Sequence, residues 1–302
     1  MVGNSVYRVG NLKEQVMSEQ AVARYTLEQK ILIEQALDNV LPKSGEEPQK
    51  IHEAMRYAVL SGGKRLRPIL TLAVSDFAGQ PRERVIHAAC SIELIHSASL
   101  ILDDLPAMDN AVERRGQACT HVKFGEATAI LASLALVSLA FDILTQHVNG
   151  GTRDVTGAIH ELAVAIGTQG TIGGQYFDLT SAMVKNGVEE IEAIHREKSA
   201  ALFRAAVRIP ARILDLPQKE IDALTVFAQH LGLAFQICDD LLDAPKDSFE
   251  TSQRTHVAHL GLEGARRRAD YHVAKAIEAL EPFGRRSEIL WAFAEYVKTR
   301  TH

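Results

Sequence analysis

Cysteine is scarce in this chain of 302 residues: Cys90, Cys119 and Cys238 stand far apart and no two form a CxxC pair. That spacing excludes a zinc site of the usual kind and suits a reducing compartment, so the expected location is cytoplasmic. Cys238, although it precedes Asp239, reads as a small buried hydrophobe. Positive charge is not in excess: the formal net charge is −5 and no basic face is evident, which argues against a nucleic-acid partner. Residues 1–19 are polar and mixed in charge, without the apolar stretch of a signal peptide. The longest apolar run, Ala127 to Phe141, falls short of the ~18 residues a membrane span needs and is interrupted by Thr128, Ser133 and Ser138. Its closely spaced small residues predict a helix buried on nearly all sides, in a soluble protein with no membrane span.

Strand signals are missing too. No β-branched alternation is long enough for a strand, and nothing repeats at a period of roughly 20–50 residues. With only 20 glycines and 9 prolines against 46% hydrophobic residues, the chain can bury a large core. Residues 1–24 read as a weakly structured lead-in and 25–302 as one all-α domain. The first helix is expected over Tyr25–Val40, with Leu27, Ile31, Leu32, Ile33, Ala36 and Leu37 as its inward stripe. Further helices are expected over His52–Leu60, Ile69–Phe77, Val85–Leu102, 126–147, Asp154–Leu179, Glu189–Ile209, Gln218–Leu242, Leu262–Leu280 and Arg286–Lys298. The loops between them are of ordinary length, and largely apolar helices imply a large bundle.

The chemistry sits at the ends of two apolar helices. Asp103, Asp104 and Asp109 follow Ser99-Leu-Ile-Leu102, and Arg114 and Arg115 come soon after. Asp239, Asp240 and Asp243 close a second apolar helix, where Asp239 and Asp243, four apart, share a face. Asp109 would not lie under Asp103 on an ideal helix, but Pro106 must end or kink that helix and can bring it back. Clustered carboxylates repel unless cations pair with them. Six facing one cavity call for a divalent metal; hard oxygen donors suit Mg²⁺, which is commonly shared with substrate phosphates. Upstream, Lys64, Arg65 and Arg67 stand behind the Gly62-Gly63 hinge and can converge on an anion. His96, seven before Asp103, keeps a similar face; alone it reads equally as a core histidine. Gln175, Asp178 and Lys198 are polar residues on helices, for which packing and a site role are both open.

Taken together, Gly62-Gly-Lys-Arg-Leu-Arg-Pro68, Ser99-Leu-Ile-Leu-Asp-Asp-Leu-Pro-Ala-Met-Asp-Asn110 with Arg114-Arg-Gly116, Gly173-Gly-Gln-Tyr-Phe-Asp-Leu179, Glu197-Lys-Ser-Ala-Ala-Leu-Phe203 and Ala234-Phe-Gln-Ile-Cys-Asp-Asp-Leu-Leu-Asp243 resemble the trans-isoprenyl diphosphate synthases in order and spacing. The resemblance runs from about residue 25 to the end. The spacing of Asp103, Asp104 and Asp109 is similar to that of bacterial and plant-plastid enzymes making farnesyl or geranylgeranyl diphosphate. The resemblance implies an all-helical homodimer with a central substrate cavity and three Mg²⁺ ions held by Asp103, Asp104, Asp109 and Asp239. Isopentenyl diphosphate would be bound by Lys64, Arg67, His96 and Arg115. Arg114 and Lys198 would reach the diphosphate of an allylic partner (dimethylallyl, geranyl or farnesyl), with Gln175 and Gln236 lending side-chain dipoles. The implied reaction is ionisation of the allylic C–O bond, attack by the isopentenyl double bond and loss of a proton.

One departure is visible. After Asp243 the chain continues Ala-Pro-Lys246 and reaches Arg254 through a segment shorter than the family's glycine-bearing loop. Lys246 can stand where a diphosphate-binding lysine does, and Arg254 can replace a second. A terpene cyclase or head-to-head enzyme would not need Lys64, Arg67, His96 and Arg115, and a non-catalytic partner subunit would be expected to lose acids that this chain keeps. For product length, Ala98 and Ser99 lie about one turn below Asp103. Both are small where shorter-product relatives tend to carry an aromatic ring, which predicts a C20 over a C15 product, with Leu134 or Phe141 as the alternative floor.

Overall fold

The apolar run before the first acids folds as a helix, Ile86–Asp103, at the centre of the molecule. A computed structural model of the chain describes residues 19–147, 152–180, 187–243 and 255–299. In chain order its helices are α1 Glu19–Val40, α2 Gln49–Leu60, α3 Leu66–Ala78, α4 Ile86–Asp103, α5 Thr120–Phe124, α6 Glu126–His147 and α7 Thr152–Ile166. They continue as α8 Thr171–Thr180, α9 Val188–Lys198, α10 Ala200–Ile213, α11 Gln218–Asp243, α12 His256–Leu280 and α13 Glu288–Thr299. Among the described residues the only strands are β1 Glu113–Arg114 and β2 Gln117–Ala118, an antiparallel hairpin pairing Glu113 with Ala118. The architecture is all-α.

Helix α4 packs along α6 and against α3, α10, α1 and α2, so almost every residue from Ala88 to Ile95 is buried. That enclosure explains its lack of an amphipathic stripe: a helix touched on all sides has no polar face to spare. The core extends through Phe77 of α3, Phe203 of α10, Phe227 of α11, and Trp291 and Phe293 of α13, all fully buried. Helices α11 and α12 pair along their lengths and enclose a smaller cluster of Ile237, Cys238, Ala265 and Ala269. All three cysteines are free and buried.

Several expected boundaries shift. Helix α1 starts at Glu19, inside the expected lead-in, and its inward positions are Val22, Gln29, Ile33 and Leu37, while Leu27, Ile31 and Leu32 face outward. The expected helix 154–179 is two, α7 and α8, parted at Gly167 and Gly170, and the expected helix 189–209 breaks at Ser199 into α9 and α10. Helix α6 is not buried all round: Ile130, Leu131 and Leu134 are 40%, 51% and 59% exposed in the single chain. By length and composition alone α6 and α11 are each long and apolar enough to cross a membrane, contrary to the reading of the shorter run 127–141. In the fold α6 lies along α4 and α2, and α11 between α10 and α12.

Candidate active site

Helices α4 and α11 deliver their acids to one place. Asp103, at the end of α4, and Asp239 and Asp243, on one face at the end of α11, line a single cavity of about 960 Å³. Past α4 the chain turns back: the Asp109 N–H donates to the Asp103 carbonyl at 2.9 Å and the Ala111 N–H to the Asp104 carbonyl at 3.2 Å. Pro106 cannot continue the helix, and this turn brings Asp109 back to the helix end while leaving it exposed. Burial, aided by Asp109 and Asp104, pushes the Asp103 carboxyl up to about 6, although Lys198 and Arg114 pull it down. Asp104 lies outside this wall. It is 4% exposed, and Arg114 grips it through Nε at 2.8 Å and Nη2 at 2.6 Å.

Cations line the same cavity. Gly63 has φ +132°, and a Cβ there would sit 2.8 Å from Arg115 Nη1, so only glycine lets Arg115 cross behind the loop. Arg115 Nη1 donates to the Gly62 carbonyl. Lys64, Arg67, His96 and Arg115 all line the cavity, as does Lys198. The Arg67 guanidinium lies over the Phe203 ring, 4.6 Å from its centroid, and contacts His96 Nε2 at 3.4 Å. Burial and then Arg67 hold the His96 pKa far down, so its imidazole is neutral at pH 7. Lys198 Nζ donates to Asp178. A Cβ on Gly174 would come 2.2 Å from the Lys198 backbone nitrogen, so glycine lets α8 reach the end of α9. That approach puts Gln175 on the cavity wall, where both its amide atoms are buried without a partner. Buried amide groups are normally satisfied, and a polar ligand in the cavity would satisfy these.

Leu66, Leu100, Leu202, Phe235 and Leu242 give the same cavity an apolar share of its wall. A cavity lined by acids from two helix ends, by cations and by apolar side chains suits an anionic head with a hydrocarbon tail. A family model described as polyprenyl synthetase matches residues 48–256. The chain belongs to that family. It is 39% identical over 292 residues to geranylgeranyl pyrophosphate synthase 4 of Arabidopsis thaliana, covering 92% of this chain and 78% of the relative. It is 34% identical to the farnesyl diphosphate synthase of Bacillus subtilis, covering 84% of this chain and 90% of that one. The apo crystal structure of an FPP/GFPP synthase from Zymomonas mobilis superposes with a TM-score of 0.80 at 35% identity, over 91% of this chain and all of that one. The protein is therefore a prenyl-transferring enzyme.

Not every residue expected in the synthetase site is placed on its wall. Arg65, grouped with Lys64 and Arg67 as an anion ligand, does line the cavity together with Glu93, but it is 2% exposed and already engaged by Glu34 at 2.8 Å and Glu93 at 2.5 Å. Asp240, expected among the metal ligands, lies off the cavity; it accepts from the His256 backbone N–H at 2.9 Å and Nδ1 at 3.0 Å, and from Gln236 at 3.2 Å. Burial would raise its pKa, but those bonds hold it below the usual range. Gln236 lines the cavity and is fixed by Ser199 Oγ at 2.8 Å. Ser99 lines the cavity; Ala98 does not, being 1% exposed with its carbonyl bonded by Ser133 Oγ of α6. Leu134 faces outward and Phe141 is absent from the wall, so neither forms a floor there. Lys246 and Arg254 lie outside the described residues. The polyprenyl synthetase site also contains two features that sequence reasoning missed: Phe203, the platform under Arg67, and the Glu34–Arg65–Glu93 cluster behind the cation loop.

Proposed function

We propose that this enzyme condenses isopentenyl diphosphate head to tail with allylic diphosphates, that geranylgeranyl diphosphate is its main product, and that it works with Mg²⁺ as a cytoplasmic homodimer. The observation that carries this reading is the meeting of Asp103, Asp239 and Asp243 with Lys64, Arg67, His96 and Arg115 around one apolar-walled cavity. Several relatives bearing the geranylgeranyl name, at 38–40% identity, support the C20 product.

The donors fit Mg²⁺. They are carboxylate oxygens without sulfur or imidazole, and the raised Asp103 carboxyl is one that a cation would relieve. Asp103, Asp239 and Asp243 would hold the ions, with Asp109 in reach from the turn. Held by these carboxylates, Mg²⁺ would supply positive charge to offset that of a departing diphosphate. Lys64, Arg67 and Arg115 grip the isopentenyl diphosphate by charge-assisted hydrogen bonds, and neutral His96 adds a donor without further positive charge. Lys198 and the unsatisfied Gln175 amide face the allylic diphosphate. Leu66, Leu100, Leu202, Phe235 and Leu242 exclude water, which would otherwise quench the allylic cation before the isopentenyl double bond attacks and a proton is lost. The outward apolar residues Ile130, Leu131 and Leu134 of α6 support self-association, because a partner copy would bury them.

Incubating the purified enzyme with Mg²⁺, labelled isopentenyl diphosphate and each allylic primer, then resolving products by chain length, tests the reading. A C20 product is expected. A C15 end product would move the assignment to farnesyl diphosphate synthesis, and no elongation by folded enzyme would refute it.

A further inference from the structure

On the side of α11 turned away from the cavity, three helices converge on a buried group of donors that the prenyl-transfer reaction does not use. His195 of α9, Asp240 of α11 and His256, the first residue of α12, each offer a ligand atom, and these atoms lie within 4.8 Å of one another. His256 is 0% exposed, and His195 and Asp240 are each 7% exposed. The two imidazole rings are tilted together with centroids 5.2 Å apart. Two ring nitrogens here, His195 Nδ1 and His256 Nε2, are buried without a hydrogen-bond partner. Orphaned polar atoms are uncommon inside proteins: His195 Nδ1 is left without a ligand, and His256 Nε2 has only Glu192, at 4.0 Å, to turn to once its other nitrogen is taken.

We propose that His195, Asp240 and His256 form a second metal site, for a divalent transition ion of the zinc class, that staples α9, α11 and α12 together. Two imidazoles and one carboxylate form a donor set that suits Zn²⁺, Co²⁺ or Ni²⁺ better than Mg²⁺, which prefers oxygen alone. The ion takes one nitrogen of His195 and Nδ1 of His256, replacing the bond from that Nδ1 to Asp240, and a modest closing of the group brings the ligands to bonding distance. Glu192 supplies the outer carboxylate: its Oε1 is 4.0 Å from His256 Nε2, and Arg268 at 2.5 Å and His272 at 3.2 Å fix it. A carboxylate in that position orients a ligating imidazole. The site is separate from the substrate cavity, since none of its three residues lines that cavity.

The test uses full-length, untagged enzyme stripped with chelator and held in saturating Mg²⁺, so that the acidic motifs are occupied. Co²⁺ is then titrated and its visible ligand-field bands are followed. One equivalent is expected to bind, with bands that Mg²⁺ does not displace and Zn²⁺ does, and Zn²⁺ is expected to raise the melting temperature over chelator alone. His256→Phe and His195→Gln should each weaken cobalt binding by more than ~100-fold, and Glu192→Gln by ~10–100-fold, the usual effect of losing an outer partner. His230→Gln, which alters the neighbouring His230–His272 contact of 2.9 Å, should leave the bands unchanged. Circular dichroism of each variant separates lost binding from lost fold, and the melting shift needs no variant. Absence of saturable bands in the native enzyme, displacement by Mg²⁺, bands surviving in both folded histidine variants, or bands lost in His230→Gln would each overturn the proposal.

Discussion

Arg65 and Arg67 lie two residues apart and end in different surroundings because helix α3 begins between them, at Leu66. Both line the cavity, but Arg65 adopts a left-handed backbone with φ +52° and is taken up by Glu34 and Glu93, whereas Arg67, on the helix, lies over Phe203 and beside His96. Removing Arg65 leaves Glu93, 2% exposed, as an uncompensated buried charge. Arg65→Ala is therefore expected to cost about 3–5 kcal/mol of stability, read by denaturant unfolding; a loss below 1 kcal/mol would mean the pair is not buried as described. Lys64→Ala, Arg67→Ala and Arg115→Ala act differently. Each should raise KM for isopentenyl diphosphate by roughly one to two orders of magnitude, as expected when a charge-assisted contact of about 1.5–3 kcal/mol is lost. KM for the allylic primer should change much less, and equal effects on both substrates would place these cations at the wrong diphosphate. From the sequence alone the three basic residues looked alike. What separates them is a pair of glutamates 31 and 28 residues from Arg65, which only the fold brings there.

At the scale of the helix, the proposed control of product length falls on α4, where two neighbouring residues are placed differently. Ser99 lines the cavity, while Ala98 is closed off at the contact with α6, where Ser133 bonds its carbonyl. Ser99→Phe is expected to shift the product from C20 toward C15 with turnover retained, as seen by chromatography of the chains; an unchanged C20 product would put the wall elsewhere. Ala98→Phe instead overfills a packed contact and should cost about 1–3 kcal/mol, measured by thermal melting. The helices themselves were largely legible, because apolar spacing and glycine breaks act over a few residues. α6 was found at its observed limits, and the turn after α4 was signalled by Pro106 alone. What failed was which way a face points. Leu27 and Ile31 of α1 and Leu134 of α6 have the spacing of inward residues, yet they lie on the outer surface of the single chain. Periodicity reports that a face is apolar and says nothing of what covers it. The same limit hid Asp240, whose neighbour Asp239 reaches the cavity while Asp240 is taken by His256.

Across the molecule, buried titratable groups set the acid limit of stability. Burial holds His195 and His230 down to about 4, and His96 far below its ordinary value. A histidine with a depressed folded pKa binds fewer protons than the unfolded chain, so its stability is whole above about pH 6.5 and is lost as pH falls toward 4. Against the effect of burial, Arg208 and Arg212 hold Glu161 low and His272 and Arg268 hold Glu192 low, and both lose their contributions at still lower pH. Asp103, raised to about 6, works in the other direction but is a single group. The melting temperature is therefore expected to fall steadily from about pH 6.5 to 4, and a flat or rising profile there would contradict the burial of these imidazoles. Joint action of the acids of α4 and α11 on one cavity is tested by the turnover of Asp103→Ala and Asp239→Ala in Mg²⁺, each with its circular dichroism spectrum. Each variant is expected to keep its helical signal and to lose turnover by orders of magnitude; near-native turnover in either one would contradict the account.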